Sequence, residues 1–363
     1  MITLAPEMLA LLLGVLAGIV LGFVARATHF CTLSALERHW YAGDSDGLRI
    51  WVLASISALV GTQLLAAFGL ADIQASFYLS SAFPWTGAIV GGLMFGVGMA
   101  LVGTCGFGAV LRLGGGSLRA LMVLTVIGLS ALAAQRGIVG ILRVPLVDNL
   151  AISFETAGSQ SIGDILSAWS GLRLQEAVAV AVALAGLAWI FKSASFRRQH
   201  TKIGAAVVIG AVISFGWWAT TFAAARSFYP VQIEAGSFVV PVGDTIMQLI
   251  TYTGTWPDYG VGLIAGTLAG AVIAALWKRD IRWEACDDAR ELGRHILGGT
   301  LMGIGGVFAM GCTVGQGITA FSTLAVSAPV VMLSMALGAR LGLAWLMEGS
   351  VLGLFRSHHT AAE

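Results

Sequence analysis

From Met8 to Ala25 the chain runs 18 residues without a charged side chain, and comparable stretches recur along its whole length. A helix of about 20 apolar residues crosses the hydrocarbon core of a bilayer, so each stretch is a candidate span. Nine read this way: Met8–Ala25, Ile50–Leu70, Thr86–Gly103, Leu118–Ala134, Glu176–Phe191, Ile203–Ala223, Tyr259–Trp277, His295–Met310 and Ala328–Met347. Arg26 follows the first stretch where a signal peptide would have a small-residue cleavage site, so that stretch is read as a span. The charge left over cannot coat a soluble globule: Asp, Glu, Lys and Arg make up 11% of 363 residues, against about 25% in soluble domains. The net charge of +1 offers nothing to nucleic acid. The sequence therefore specifies an all-α polytopic membrane protein bedded in lipid.

Lysine and arginine set the expected orientation, because they collect on the cytoplasmic side. Lys192, Arg197, Arg198 and Lys202 crowd one short connection, and Lys278, Arg279, Arg282, Arg290 and Arg294 another. Counting outward from these places Arg26–Arg49 and Arg112–Arg119 inside too. The long segments Gln135–Gln175 and Arg226–Asp258 then lie outside. The expectation is a multi-pass protein of a bacterial inner membrane, with a periplasmic amino terminus and a cytoplasmic carboxyl terminus.

A repeat runs through this frame. Gly298, Gly303, Gly305, Cys312 and Gly315 each lie 207 positions after Gly91, Gly96, Gly98, Cys105 and Gly108. The first copy is expected to cross inward and the second outward. That gives two inverted, pseudo-symmetric halves with broken or re-entrant helices meeting at the centre. Residues 1–175 form the first half with its external loop, 176–202 a linking span and basic loop, and 203–363 the second half and a short tail. Inverted repeats are a transporter architecture, with the substrate site where the halves meet.

Four cysteines are present, and no two are spaced as a redox pair or a zinc knuckle. No metal or cofactor is expected. Cys31, Cys105 and Cys312 each sit where an apolar helix gives way to glycine or threonine, whereas Cys286 lies in a charged connection and is read as incidental. Irregular backbone inside a membrane is tolerated only against protein or a water-lined path. A neutral thiol is a weak donor, a weak acceptor and a polarizable atom. It suits transient contact with the outer sulfur of a small anion such as thiosulfate. The hydroxyls of Thr32, Thr104 and Thr313 and main-chain N–H groups such as that of Gly106 would take the oxygens. Gln316, polar in a costly place, joins the candidates. Trp217-Trp218 answers roughly, in the fourth quarter of the chain, to Phe30-Cys31 in the first, and is read either as lining the path or as an interfacial anchor. No Lys or His beside Cys105 or Cys312 would activate a thiol, which argues against an enzyme. A membrane thiol enzyme relaying sulfur as a persulfide is the alternative that such a base would favour.

Phe30-Cys31-Thr32-Leu33, Gly103-Thr104-Cys105-Gly106, the approach Glu284–Gly299 and Gly311-Cys312-Thr313-Val314-Gly315-Gln316-Gly317 resemble the YeeE/YedE membrane proteins, a sulfur-transport family. The resemblance covers nearly the whole chain. It implies inverted pseudo-symmetry around a constricted centre, thiosulfate uptake, and Cys31, Cys105 and Cys312 relaying the ion. By analogy it also implies a small cytoplasmic sulfur-carrier protein as partner. The family includes members tied to selenium or to other sulfur compounds, so the same fold serves more than one cargo.

Overall fold

The computed structural model describes residues 6–348 apart from 156, 173, 228–229 and 252–256. The polar tail with His358-His359 lies outside the described residues. Fifteen α-helices carry the fold among the described residues. They are α1 (Pro6–Ala27), α2 (Thr32–Ala42), α3 (Asp46–Ala67), α4 (Gly92–Val102), α5 (Gly106–Leu113), α6 (Leu118–Arg136), α7 (Ile138–Leu146) and α8 (Ile162–Ser170). There follow α9 (Gln175–Phe191), α10 (Ala194–Arg197), α11 (His200–Ala224), α12 (Val240–Ile250), α13 (Tyr259–Lys278), α14 (Ala289–Phe308) and α15 (Ser327–Glu348). A π-helical turn, Gly87–Gly91, leads into α4, and another, Gly315–Ala320, lies between α14 and α15. The one sheet among the described residues pairs Ala82–Phe83 with Ile152–Ser153.

Helix starts follow their caps. Ser117 accepts from the N–H of Ala120 to open α6, and Asp258 from that of Val261 to open α13. Asp288 accepts from Glu291 N–H while the Glu291 carboxylate accepts from Asp287 N–H at the start of α14, a reciprocal cap.

Among the described residues, seven helical segments are long and apolar enough to cross a membrane, beginning at Met8, Asp46, Gly87, Leu118, His200, Tyr259 and Ser327. The two other expected spans fall short for different reasons. Helix α9 has 17 residues, and α14 begins with Arg290, Glu291, Arg294 and His295, which dilute its apolar character.

The four basic connections touch one another. Arg26 pairs with Asp280 at 3.7 Å, Arg119 with Glu291 at 2.6 Å, and Gln199 donates to Asp46 at 2.5 Å. They form one basic face. Segments 68–86, 137–174 and 225–258 gather at the opposite, loop-rich face, where Phe154 N–H bonds to Ser81 O and Gln74 to Asp164.

Glycine sets the spacing between helices. A Cβ on Gly18 would lie 2.4 Å from Leu263 O, and one on Gly266 would lie 2.2 Å from Val15 O. The Gly14/18/22 and Gly262/266/270 stripes thus let α1 and α13 touch backbone to backbone, as their spacing predicts. The repeat glycines do something further. Gly98 on α4 abuts Gly298 on α14, and Gly91 abuts Gly305, each contact reciprocal at 2.5–2.9 Å from a would-be Cβ to a carbonyl oxygen. Since 298 answers to 91 and 305 to 98, position 91 meets the counterpart of 98 and position 98 the counterpart of 91.

Candidate functional site

Three elbows of one design hold the three candidate cysteines. Each has a left-handed residue two positions before the cysteine: His29 at φ 54°, Gly103 at 78° and Met310 at 55°. A left-handed turn ends one helix, as such residues commonly do, and the cysteine then caps the next. Cys31 and Cys105 are extended, at φ −146° and −87°, directly before α2 and α5. The carbonyls of Cys31, Cys105 and Cys312 accept the first helical bonds from Ala35, Ala109 and Gln316 at 3.1, 2.9 and 2.8 Å. Two of the left-handed positions are not glycine, which costs about 1–2 kcal/mol each and marks these turns as held in place by their surroundings.

The elbows converge. The Cys105 thiol lies within electrostatic reach of both Cys31 and Cys312 and faces the Thr313 hydroxyl and the Gly108 N–H. Cys312 Sγ accepts from Gly315 N–H at 3.4 Å and faces Ser237 and the main chain of Phe238. Cys105 and Cys312 are buried, and Cys31 is partly exposed. Each thiol sits at a helix amino terminus, where main-chain N–H groups and the helix dipole favour an anion. Phe107 packs between Phe238, at 4.6 Å between ring centroids, and Phe30, at 6.5 Å, with Trp51 stacked on Phe30. The aromatic cluster narrows the space between elbows.

The other candidates divide by whether their polar atoms are already taken. The hydroxyls of Thr104 and Thr313 are buried with no hydrogen-bond partner within normal geometry. Buried polar groups are nearly always satisfied; the polar neighbour of the Thr313 hydroxyl is the Cys105 thiol. Thr32 instead accepts from Trp51 Nε1 at 2.9 Å. The Gln316 amide donates to Ala309 O at 2.8 Å and accepts from Ser327 at 3.2 Å, bracing the third elbow from behind. Gly106 has no room for a side chain, since a Cβ would lie 2.8 Å from Phe238 O.

Trp217-Trp218 does not occupy the position expected of it. Trp217 is fully buried within α11, with Nε1 donating to Ser322 at 3.1 Å. The segment that meets the elbows is Ala235–Phe238, and Phe238 stands 207 positions after Cys31.

Two features escaped the sequence reading. Tyr78, in the connection after α3, puts a buried hydroxyl beside Ser237, against Gly311 and Gly315 and near Cys312. Nothing in its loop spacing ties it to the cysteines. Above it, a cavity of about 430 Å³ opens at the loop-rich face and reaches down to Ser237 and Gly311. Its wall carries Glu234, Asp244 and Asp258 with Arg136, which pairs with Asp244 at 3.6 Å. Burial raises the Glu234 carboxyl well above its usual range, with Asp258 and Asp244 adding repulsion. Burial, then Asp258, holds Asp244 up at about 6. These acids lie in the 226–258 segment, outside the apolar spans read from the sequence.

Against this geometry, a family model described as sulphur transport matches residues 27–341. The chain belongs to the sulphur-transport family. The match runs from before the first elbow to well beyond the third. Among relatives in this family, the thiosulfate transporter TsuA of Escherichia coli strain K12 is 28% identical over 332 residues, covering 85% of this chain and 86% of the relative. The thiosulfate transporter TsuA of Spirochaeta thermophila is 25% identical over 344 residues, covering 92% and 98%. This sulphur-transport family member is a multi-pass membrane protein whose relatives carry the name of transporters.

Proposed function

We propose that this protein imports thiosulfate across a bacterial inner membrane, passing it from the loop-rich face by way of Cys312, Cys105 and Cys31 to the basic face. The observation that carries the reading is the convergence of three cysteines at helix amino termini, with the buried Thr104 and Thr313 hydroxyls close to Cys105. Both relatives named as thiosulfate transporters match at nearly full length. Several weak sites in series suit conduction, because each must release what it binds. A thiol at a helix amino terminus offers such weak binding: the N–H groups attract the anion, and the neutral sulfur does not trap it.

The positive-inside bias supports a cytoplasmic basic face, and with it a periplasmic amino terminus and a cytoplasmic carboxyl terminus. The reciprocal glycine contacts of α4 and α14 support two inverted halves, 1–175 and 203–363, joined through 176–202, because positions exchange partners as they would about a two-fold axis. The basic face is also where a small sulfur-carrier protein would collect the cargo. The reading involves no covalent step and no enzyme. Among the described residues no lysine, histidine or carboxylate hydrogen-bonds a thiol to activate it for persulfide chemistry.

The test is growth of a thiosulfate-uptake-deficient bacterium on thiosulfate as sole sulfur source, at matched membrane abundance. Wild type is expected to restore growth, and Cys105→Ala and Cys312→Ala to fail. Well-expressed wild type that does not rescue would overturn the cargo assignment. Rescue by both variants would remove the thiols from the path.

A further inference from the structure

Cys31 differs from the other two thiols in being partly exposed, and what it faces is a small cavity of about 170 Å³. That is well below the roughly 300–1,000 Å³ of pockets for drug-sized ligands. Three basic side chains from three elements line it: His29 from the first elbow, Arg38 from α2 and Lys202 from the start of α11. Among the described residues, no ion pair engages any of the three. Arg38 spends one bond on the carbonyl of Ser34, at 3.4 Å.

The other cavity near the basic face makes the contrast. It holds Arg26, Arg112 and Arg282 together with the carboxylates of Asp280 and Glu284. Arg26 and Arg282 pair with Asp280 at 3.7 and 3.5 Å, and Arg112 donates to Gly103 O at 2.8 Å. The larger basic cavity is a braced structural joint. The smaller one presents cations without carboxylates beside an accessible thiol.

We propose that the cavity formed by His29, Arg38 and Lys202 against Cys31 is an anion site for small divalent oxyanions, the basin into which the cargo is released from the last thiol. The proposal rests on the import reading above for its direction, and on the cavity alone for its chemistry. Unpaired cations draw the anion off a neutral thiol, and the opening lets water rehydrate it. His29 contributes a further donor from a backbone position that only its left-handed turn provides.

The experiment measures alkylation of Cys31 in purified, detergent-solubilised full-length protein carrying Cys286→Ser. Cys105 and Cys312, at 1% and 0% exposure, stay silent. Anionic iodoacetate and neutral iodoacetamide are compared, with free glutathione in the same mixture as internal standard. Each reagent forms a thioether and loses iodide, and the ratio of the two rates cancels the thiolate fraction. The ratio at Cys31 is expected to exceed that of glutathione by about tenfold, the effect of a cation or two a few ångströms away in a partly solvated site. Arg38→Gln with Lys202→Gln should bring it within about twofold of glutathione, and each single variant should fall between, in case the double variant unfolds. Thiosulfate should slow the iodoacetate reaction at millimolar levels more than inorganic phosphate does. A wild-type ratio equal to that of glutathione, or a ratio unchanged in the variants, would overturn the site. Equal protection by phosphate would overturn its role as a release basin and leave a general site for cytosolic oxyanions. Growth rescue is not involved, so the cargo assignment and the basin fail separately.

Discussion

A buried hydroxyl with nothing to bond is informative because its loss has opposite effects on fold and function. The Thr313 hydroxyl faces the Cys105 thiol and makes no hydrogen bond within normal geometry. Thr313→Val keeps the shape and removes an unsatisfied group, so the melting temperature should hold or rise. Uptake at low thiosulfate should fall about tenfold, matching the loss of one hydrogen bond to a charged ligand at about 1.5 kcal/mol. A parallel drop in stability would return Thr313 to a packing role. Asp244 carries a pH signature. Its carboxyl is raised from 3.8 to about 6, so its protonated form favours the fold. That stability is complete below about pH 4 and lost as pH rises through 6, amounting to about 3 kcal/mol at most. Asp244→Asn should therefore raise the melting temperature at pH 8 and leave it unchanged at pH 4, as thermal unfolding in detergent would show. Of the site, the three cysteines and their threonines were legible in the sequence, because glycine and threonine mark where a membrane helix breaks. Tyr78 and the carboxylates were not. They come from connecting segments that fold back over the centre, and no periodicity in a connection says which way it folds.

At the scale of elements, the elbow is the unit: a helix, a left-handed residue, an extended cysteine and a second helix. Its first helix is placed by close packing. A Cβ on Gly266 would meet the backbone of α1 at 2.2 Å, and backbone cannot step aside as a side-chain end can. Gly266→Ala should lower thermal stability by about 1–3 kcal/mol, the range for overpacking. Gly204→Ala, on α11 with nothing within 4 Å, should not. The glycine stripes announce this contact in the sequence, since residues four apart share a helix face. The counterpart of Cys31 in the second half is Phe238 rather than Trp217-Trp218, because the constant offset of 207 points there. There the backbone and a phenyl ring replace the thiol. The centre thus has three thiols and one aromatic stop, an asymmetry that a perfect repeat would lack.

At the scale of the whole molecule, polarity divides cleanly between the two faces. A basic face is stitched together by Arg26–Asp280, Arg119–Glu291 and Gln199–Asp46. A loop-rich face holds an acid-walled cavity over the third elbow. A dianion approaching that cavity meets Glu234, Asp244 and Asp258 beside Arg136 and Arg143. Uptake into proteoliposomes should accordingly be faster at external pH 5.5 than at pH 8, as protonation lifts the repulsion. Asp244→Asn, which removes the carboxyl held up at about 6, should flatten the profile, and a profile already flat in wild type would count against a role for the acids. The apolar spans carry nearly all the information about this architecture, which is why it was legible from composition and hydropathy. The exceptions, α9 and α14, show where length and local charge blur the reading.

The seam between α4 and α14 has a mechanical consequence. Carbonyls of Gly91, Gly98, Gly298 and Gly305 stand within 3 Å of where side chains would begin, so the two helices mesh like gear teeth with no clearance. Interlocked surfaces of this kind can part or hold, but they cannot slide. A carrier that rocks would have to unmesh them on every cycle. A scaffold that stays closed leaves the ion as the only moving part, handed across a standing wall from one hold to the next.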